Sequence, residues 1–256
     1  MFRLVFPEQS AMKIPTGSPA DLQSLLDSLL PACIEASADT QAPQGANDSS
    51  SLVEAFRQLL NVMARIEADA QADRMSDSAD ITEIGEYALR LHEALAALAA
   101  NAGLEDRQEA LALVCINIAL WVADHGGRID TLEPVVDALA LLANNLREHA
   151  RLEALSHVIS RIVAAVSPMI SQDLEKVNPG RPWRVLLMNQ SIIATRSHNP
   201  ELMEQAFAVL TEKLPEDAPR FFTEGMQQMD ALNYPAHVRK VMEKYHRQWT
   251  RNRALH

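Results

Sequence analysis

The chain has 256 residues, of which 48% are hydrophobic and only 5% are aromatic. This apolar content is enough to form a buried core, which excludes a fully disordered chain, and the low aromatic content favours helices over strands. The formal net charge of −11 repels phosphates over most of the surface, which argues against general nucleic-acid binding.

Charge is distributed unevenly along the chain. Residues 1–150 contain 9 Lys and Arg against 23 Asp and Glu, whereas residues 151–256 contain 14 against 11. An acidic first part and a basic second part would allow the chain to pair head to tail with a second copy. Self-association is therefore one expectation.

The first 50 residues are predicted to form an N-terminal arm that is only loosely tethered to the rest. Ser18 followed by Pro19 is a typical helix start, and an apolar face runs from there to Pro31, where the helix is expected to kink or end. Residues 36–51 are small and polar and include both Pro and Gly, which predicts a flexible linker.

Residues 51–167 are predicted to form a helical domain. Asp80 with Glu83, and Asp130 with Glu133, have the spacing of capping boxes, in which the two side chains bond to backbone N–H groups at a helix start. Apolar residues recur with the helical period throughout this domain. They predict helices at about 51–70, 81–103, 105–125, 130–149 and 151–167.

Residues 168–256 begin with a junction rich in Pro and Gly and continue as four helices, most of which start near a proline. Asn199 and Pro200 form the clearest start, with Asn as the cap and Pro at the first helical position. Pro200 and Pro235 stand 35 residues apart, a spacing that fits a repeated pair of helices. The four helices are predicted at about 182–197, 200–213, 216–231 and 235–252.

These helix pairs resemble the tetratricopeptide repeat family, whose unit is a helix–turn–helix of about 34 residues. Ala206 takes the small position of a second helix, Ile193 and Leu210 fall on apolar positions, and Gly225 takes the glycine position. The resemblance covers residues 182–252. It implies an all-α fold of antiparallel helical hairpins, stacked as an irregular solenoid or bundle, with a concave groove that holds a peptide or protein.

The last predicted helix is amphipathic and basic. One side carries an apolar stripe that begins at Val238, and the opposite side is positively charged. Three interpretations stay open: the basic side is solvated, it binds an acidic partner protein, or it contacts phosphates or an anionic membrane. The predicted partner-binding residues of this helix are Lys240, Lys244, Arg247 and Arg251.

A second candidate binding site surrounds Trp183. Arg181 and Arg184 flank this ring in the sequence and could clamp a ligand by cation–π contact, so Trp183 and Arg184 are also predicted partner-binding residues. The competing interpretation is that Trp183 packs inside the first turn of its helix while the arginines point into solvent.

No motif for catalysis, nucleotide binding or metal binding stands out in the sequence. Phosphate-binding and dinucleotide-binding glycine loops are absent, and one Glu243-x-x-His246 supplies only part of a carboxylate di-iron site. Cys33 and Cys115 lie far apart, and Cys115 stands in an apolar run where a thiol behaves as a small hydrophobe. We therefore expect no cofactor and no metal, and an enzyme is not the favoured interpretation.

The favoured hypothesis is a non-enzymatic adaptor that binds another protein through its helical surface. The alternative is a small-molecule-binding or enzymatic helical domain with a pocket among the apolar helices at 105–166, where Asn117, Asn144 and Asn145 would orient a ligand. The start of the chain has no signal-peptide pattern, and the longest apolar run, Ala110–Ala123, is too short to cross a bilayer. These features predict a cytoplasmic protein without a membrane span.

Overall fold

The computed structural model describes residues 13–39, 49–72 and 76–251. These residues form eleven α-helices, which confirms the all-α class, and an isolated parallel bridge joins Ile129 to Val166. A short 3₁₀ turn precedes α4. The helices are α1 (Pro19–Asp39), α2 (Ser49–Gln71), α3 (Ser78–Asn101), α4 (Gln108–Asp124), α5 (Glu133–Asn145), α6 (His149–Ala165), α7 (Pro168–Ser171), α8 (Pro182–Arg196), α9 (Pro200–Lys213), α10 (Ala218–Ala231) and α11 (Ala236–Arg251).

The prolines and the cap of the C-terminal part act as the sequence predicts. Pro182 and Pro200 are the first residues of α8 and α9. The Asn199 side chain accepts hydrogen bonds from the backbone N–H groups of Glu201 (2.9 Å) and Leu202 (3.3 Å), two donors that a helix start leaves open. The predicted boundaries of these last four long helices are confirmed to within two residues.

Of the two outcomes predicted for Pro31, a kink or a helix end, the helix end is wrong, because α1 continues to Asp39. A proline inside a helix removes one backbone hydrogen bond. Pro31 is exposed, whereas Leu29 and Cys33 on either side of it are buried in the core. Packing of this apolar face offsets the lost bond, so the helix continues.

The predicted capping box at the start of α3 is also wrong. The helix begins at Ser78, two residues before the expected cap Asp80. Asp77 caps it instead, since its carboxylate accepts a hydrogen bond from the Ala79 N–H at 2.9 Å. Asp77 and Asp80 both carry side chains that can cap a helix, and the helix begins directly after the earlier of the two.

The second predicted capping box, Asp130 with Glu133, does not form, and a side chain of α3 bonds to the segment before α5 instead. α5 begins at Glu133, and no local side chain caps it. The carboxylate of Glu86 in α3 instead accepts hydrogen bonds from the backbone N–H groups of Asp130 and Thr131, each at 3.1 Å, and from the Thr131 hydroxyl. The helix predicted at 130–149 is also too long, because its last residues form the connection to α6 and the start of α6 itself.

α4 forms the centre of the fold. Every residue from Val114 to Val122 is buried, so the middle of this helix has no solvent-exposed side. α1, α3, α5 and α6 pack around it. A helix that is apolar all round is stable only inside such an enclosure. Burial also raises the pKa of the Cys115 thiol far above its usual range, which makes it a poor nucleophile.

α1 belongs to the core, so the prediction of a loosely tethered arm is wrong for this helix. Its buried side chains face α4, and the Gly17 N–H just before it donates a hydrogen bond to Asn117 Oδ1 of α4 at 3.0 Å. Asn117 also donates to the Leu113 carbonyl, which gives this amide a structural role rather than the predicted ligand-orienting one. Residues 1–12 and 40–48 of the predicted arm and linker lie outside the described residues.

The C-terminal helices continue the same core. α8 packs against α5 and α6, α9 packs against α8, and α11 packs against both α9 and α10. One hydrophobic cluster runs from Leu22 to Tyr245, so the boundary predicted between 51–167 and 168–256 does not separate two cores. The tetratricopeptide-like arrangement of these helices stays a prediction.

Aromatic rings hold the last three helices together. Phe207 of α9 meets Phe222 of α10 and Tyr245 of α11 edge to face, with ring centroids 5.1 and 5.2 Å apart. Phe207 and Phe222 are fully buried. Edge-to-face pairs at these distances are favourable beyond the area they bury, so these contacts stabilise the packing of α9, α10 and α11.

Two helical glycines differ in what an added methyl group would meet. A Cβ at Gly85 would lie 2.3 Å from Cγ2 of Val122, and a Cβ at Gly225 would lie 2.7 Å from Sδ of Met242. Val122 is β-branched and buried in α4, whereas the unbranched thioether of Met242 can turn aside.

We therefore expect Gly85→Ala to lower the free energy of unfolding by about 1–3 kcal/mol, although alanine is the better helix former. Gly225→Ala should change it by less than about 1 kcal/mol. Urea unfolding followed by circular dichroism measures both effects. In a double-mutant cycle, Val122→Ala should cost less beside Gly85→Ala than alone, and equal costs would contradict the clash.

Candidate partner-binding surfaces

The predicted basic side of the last helix is only partly available to a partner. Lys240 and Arg247 are exposed on α11. Lys244 is engaged within the fold, since its ammonium group donates to both carboxylate oxygens of Glu204 in α9 at 2.8 Å. The side chain of Arg251 lies outside the described residues.

Glu204 also accepts a hydrogen bond from the Tyr245 hydroxyl group, at 3.0 Å. Burial and this carboxylate raise the pKa of Tyr245 to about 12, so the phenol keeps its proton and remains the donor. The apolar stripe predicted from Val238 is confirmed, because Val238, Val241 and Met242 are buried together with Tyr245. The apolar side of α11 therefore completes the core and leaves its basic side as the outer surface.

Trp183 does not offer a binding surface in this structure. The indole is only 3% exposed, which agrees with packing inside the first turn of its helix. Arg181 is buried as well, so the expectation that it points into solvent is wrong. Arg184 is half-buried and donates to Asp217 Oδ1 (2.9 Å) and to the Pro179 carbonyl (3.0 Å). These residues hold the preceding segment of chain in place instead of forming an open clamp.

That segment, residues 172–181 between α7 and α8, is here named the anchored loop. Its base is a buried ion pair between Asp173 and Arg181, whose side chains are 5% and 6% exposed. The guanidinium binds both carboxylate oxygens, with a distance of 2.7 Å between Arg181 Nη2 and Asp173 Oδ2. Two parallel bonds of this kind fix the relative orientation of the two groups as well as their distance.

Further bonds from the same guanidinium shape the anchored loop. Arg181 Nη1 donates to the backbone carbonyls of Asn178 (3.1 Å) and Lys176 (3.3 Å). The hydrogen bond to Asp173 is the main reason why the pKa of Arg181 is raised, so the charge persists at any ordinary pH. Asp173 itself has a φ of 53°, a left-handed conformation that Asp and Asn tolerate better than other side chains.

Outer contacts tie the anchored loop to the connection before α10. The Lys176 ammonium donates to Glu216 at 2.8 Å. Arg184 of α8, which donates to the Pro179 carbonyl of the loop, also forms an ion pair with Asp217. The anchored loop is thus bonded to helices on both sides of it. These charged contacts hold the segment in one conformation although it has no regular secondary structure.

The anchored loop and α7 expose three large apolar side chains, here named the apolar trio: Met169, Leu174 and Val177. They are 81%, 80% and 98% exposed. The next most exposed large apolar residue in the described part of the chain is Leu232, at 63%. Single exposed apolar residues are ordinary on protein surfaces, but three such residues within one short, fixed segment are typical of an interaction site.

A second surface feature is an open recess between the start of α4 and the end of α5. It has a volume of about 440 Å³. Asn144 and Asn145 line it, as the hypothesis of a ligand pocket among 105–166 would require, whereas Asn117 lies in the core. The other lining residues are Glu105, Asp106, Gln108, Glu109 and Leu141. Its walls are acidic and polar, unlike the apolar walls of most small-molecule sites.

Within the described residues, no group of three His, Cys, Asp or Glu side chains is arranged to hold a metal ion. None of the helices in that part of the chain has the length and apolar character needed to cross a bilayer. Comparison of the chain with protein-family models, with curated proteins and with solved structures found no match.

The buried ion pair gives a direct test of how the anchored loop is held. We expect Asp173→Asn to lower the free energy of unfolding by about 2–3 kcal/mol, because the buried Arg181 would keep only the more distant carboxylate of Asp217, 3.8 Å away, as a partner charge. Asparagine tolerates the left-handed backbone, so the change isolates the charge. The control Lys176→Gln removes the exposed pair with Glu216 and should cost less than about 1 kcal/mol. Equal losses in urea unfolding would show that the buried pair does not fix the loop.

Proposed function

We propose that this protein is a non-enzymatic adaptor that binds another protein through the apolar trio on the anchored loop. One observation supports this more than any other: Leu174 and Val177 are almost fully exposed on a segment that a buried ion pair fixes in place. An exposed loop that only connected two helices would be expected to carry polar side chains at these positions.

Exposure of the trio leaves a large apolar surface available for binding. Burial of one Leu, Val or Met side chain contributes about 1.5–3 kcal/mol. A partner that covers Met169, Leu174 and Val177 would thus gain enough to form a specific contact of modest affinity. The proposed partner surface is an apolar pocket or groove that accepts aliphatic side chains.

The anchored loop would also lower the entropic cost of binding. A flexible loop loses conformational freedom when a partner orders it, and this loss subtracts from affinity. The bonds of Arg181 to Asp173, Lys176 and Asn178 already hold the backbone in one conformation. The free protein would then present the trio in the geometry that the complex requires.

The basic side of α11 is a second candidate surface for the same function. Lys240 and Arg247 are exposed there and would favour an acidic partner. The two surfaces predict opposite responses to salt, since exposed charges are screened at high ionic strength whereas apolar contacts persist. Salt dependence therefore distinguishes them.

The test is a capture experiment with the full chain as bait, performed in extracts of the source cells at low and high salt and analysed by mass spectrometry. We expect one stoichiometric partner that persists at high salt and is lost with Leu174→Asp/Val177→Asp. The matched control, Leu232→Asp, places the same charge at an exposed leucine elsewhere and should retain it. For the purified pair, we expect the double substitution to weaken affinity about a hundredfold.

Two outcomes would contradict this proposal. If the partner binds the double variant as well as the original chain, the apolar trio is not its binding surface. If Lys240→Gln/Arg247→Gln abolishes binding while the loop variant retains it, the partner recognises the basic side of α11. Absence of any stoichiometric partner would remove the support for an adaptor.

A further inference from the structure

Three histidines from different elements meet at one joint of the C-terminal helices. His149 is the first residue of α6, His198 lies in the turn between α8 and α9, and His237 is the second residue of α11. The rings of His149 and His198 are stacked, with centroids 4.0 Å apart and planes inclined by 29°. The ring of Tyr234 lies 5.2 Å from that of His198 on the approach to α11.

Hydrogen bonds to carbonyl groups determine which ring nitrogens carry protons. His149 Nδ1 lies 2.9 Å from the Arg196 carbonyl, and His237 Nε2 lies 3.1 Å from the His198 carbonyl. A carbonyl oxygen can only accept, so both nitrogens are the donors. These two bonds connect the start of α6 and the start of α11 to the backbone at the end of α8 and in the turn after it.

The surroundings of His198 disfavour a second positive charge. Burial lowers the pKa of its imidazole, and the neighbouring His149 and His237 lower it further. Arg196 adds a fixed positive charge in this region, where it donates to the Ala143 and Leu146 carbonyls at the end of α5. Besides Arg196, the charged or titratable groups within four residues of His149, His198 or His237 in the sequence are Arg147, Glu148, Arg151, Glu153, Glu201, Tyr234, Arg239 and Lys240.

The carboxylate of Glu153 is engaged elsewhere. It accepts a hydrogen bond from the Asn199 side chain at 2.7 Å, next to His198 in the chain. The ring hydrogen bonds of His149 and His237 lead to backbone carbonyls and not to acids. Protonation of His198 would therefore place a charge against the stacked ring of His149 without an acid bonded to that neighbour.

A metal site is not the use that this geometry suggests. Ring nitrogens bind an ion in the plane of the imidazole, and rings stacked face to face cannot direct their nitrogens at one shared ion. In agreement, these histidines are not among any metal-binding arrangement within the described residues.

We propose that the three histidines form an acid-sensitive latch that joins α6, the α8–α9 turn and the start of α11. At neutral pH the His198 ring is uncharged, it stacks on the ring of His149 and the latch is closed. As the pH falls, the His198 ring takes up a proton, and its charge, which lies against the stacked ring of His149 without a hydrogen-bonded acid among the described residues, separates the turn from its neighbours. The C-terminal hairpins then loosen from α6, while the core around α4 stays folded.

The direction of the pH effect follows from the folded and open states of His198. In the open state the ring has its ordinary pKa near 6.5, and in the closed state its pKa is lower. The open state thus binds more protons below neutrality. Stability of the joint is complete above the ordinary pKa and decreases as the pH falls toward the pKa of the closed state.

Hydrogen exchange of the full chain at pH 7.5 and 5.5, corrected for intrinsic exchange rates, tests this proposal. Peptides that cover the α8–α9 turn and the start of α11 should lose protection at pH 5.5. Because pH 5.5 lies one unit below the ordinary pKa of the ring, the loss expected from His198 is at most about tenfold. Peptides of α4 should keep their protection at both pH values, and equal loss in α4 would overturn the proposal.

Two variants isolate the cluster from other acid effects. His198→Asn removes the titrating ring and keeps a residue that tolerates the left-handed φ of 59° found here, so its protection should be the same at both pH values. The matched control His157→Asn removes an exposed histidine from α6 and should behave like the original chain. If His198→Asn lowers stability too far for this measurement, His149→Gln replaces it. This second variant removes the stacked neighbour but leaves His198 partly buried, so it should reduce the pH-dependent loss of protection without abolishing it. Loss of protection in the cluster variant equal to that of the original chain would overturn the proposal.

Discussion

Enclosure of α4 is the constraint on which the rest of the fold depends. Nine consecutive residues, from Val114 to Val122, are removed from water. No single neighbour can cover a helix on all sides, so α1, α3, α5 and α6 each contribute a face. This requirement explains why α1 is part of the core even though a polar segment separates it from α2.

The helices around α4 turn their apolar sides toward it. Their outer surfaces are mainly charged and polar. The C-terminal helices join this core through α8, which packs on α5 and α6 and contributes buried apolar side chains such as Leu186 and Leu187 to the same cluster. Gln190 of α8 adds a polar contact, since it donates to the Ser160 hydroxyl at 3.2 Å. The anchored loop lies between α7 and α8, and the histidine joint lies where α6, the α8–α9 turn and the start of α11 meet.

Side chains that the sequence singled out for binding are partly used inside the protein. Lys244 links α11 to α9 through Glu204, and Arg184 bonds to the anchored loop at the Pro179 carbonyl and pairs with Asp217. Charged residues on the surface pair with acids of the same chain as well as with acids of a partner, so charge alone does not identify a binding site. The proposed binding surface rests on the apolar trio instead, because its side chains are largely exposed.

Local sequence determined the helices themselves. Asn199 with Pro200 begins α9 as predicted, and apolar periodicity located α2, α8 and α11 closely, because caps and the helical period depend on residues within one or two turns. The junction 168–181 could also be recognised from its prolines and glycine. Its composition indicated irregular structure but not a fixed conformation.

Tertiary structure decided everything that depends on contacts between distant residues. Continuation of α1 through Pro31 follows from packing on α4, and the segment before α5 is bonded to Glu86, more than forty residues earlier. The stacking of His149 on His198 requires two helix ends to meet. Such contacts leave no periodic signal in the chain, since a charge or ring in a loop has the same local context whether or not a partner reaches it. Local sequence therefore places most helices along the chain, whereas packing decides bounds such as those of α1 and α5 and determines which side chains remain exposed.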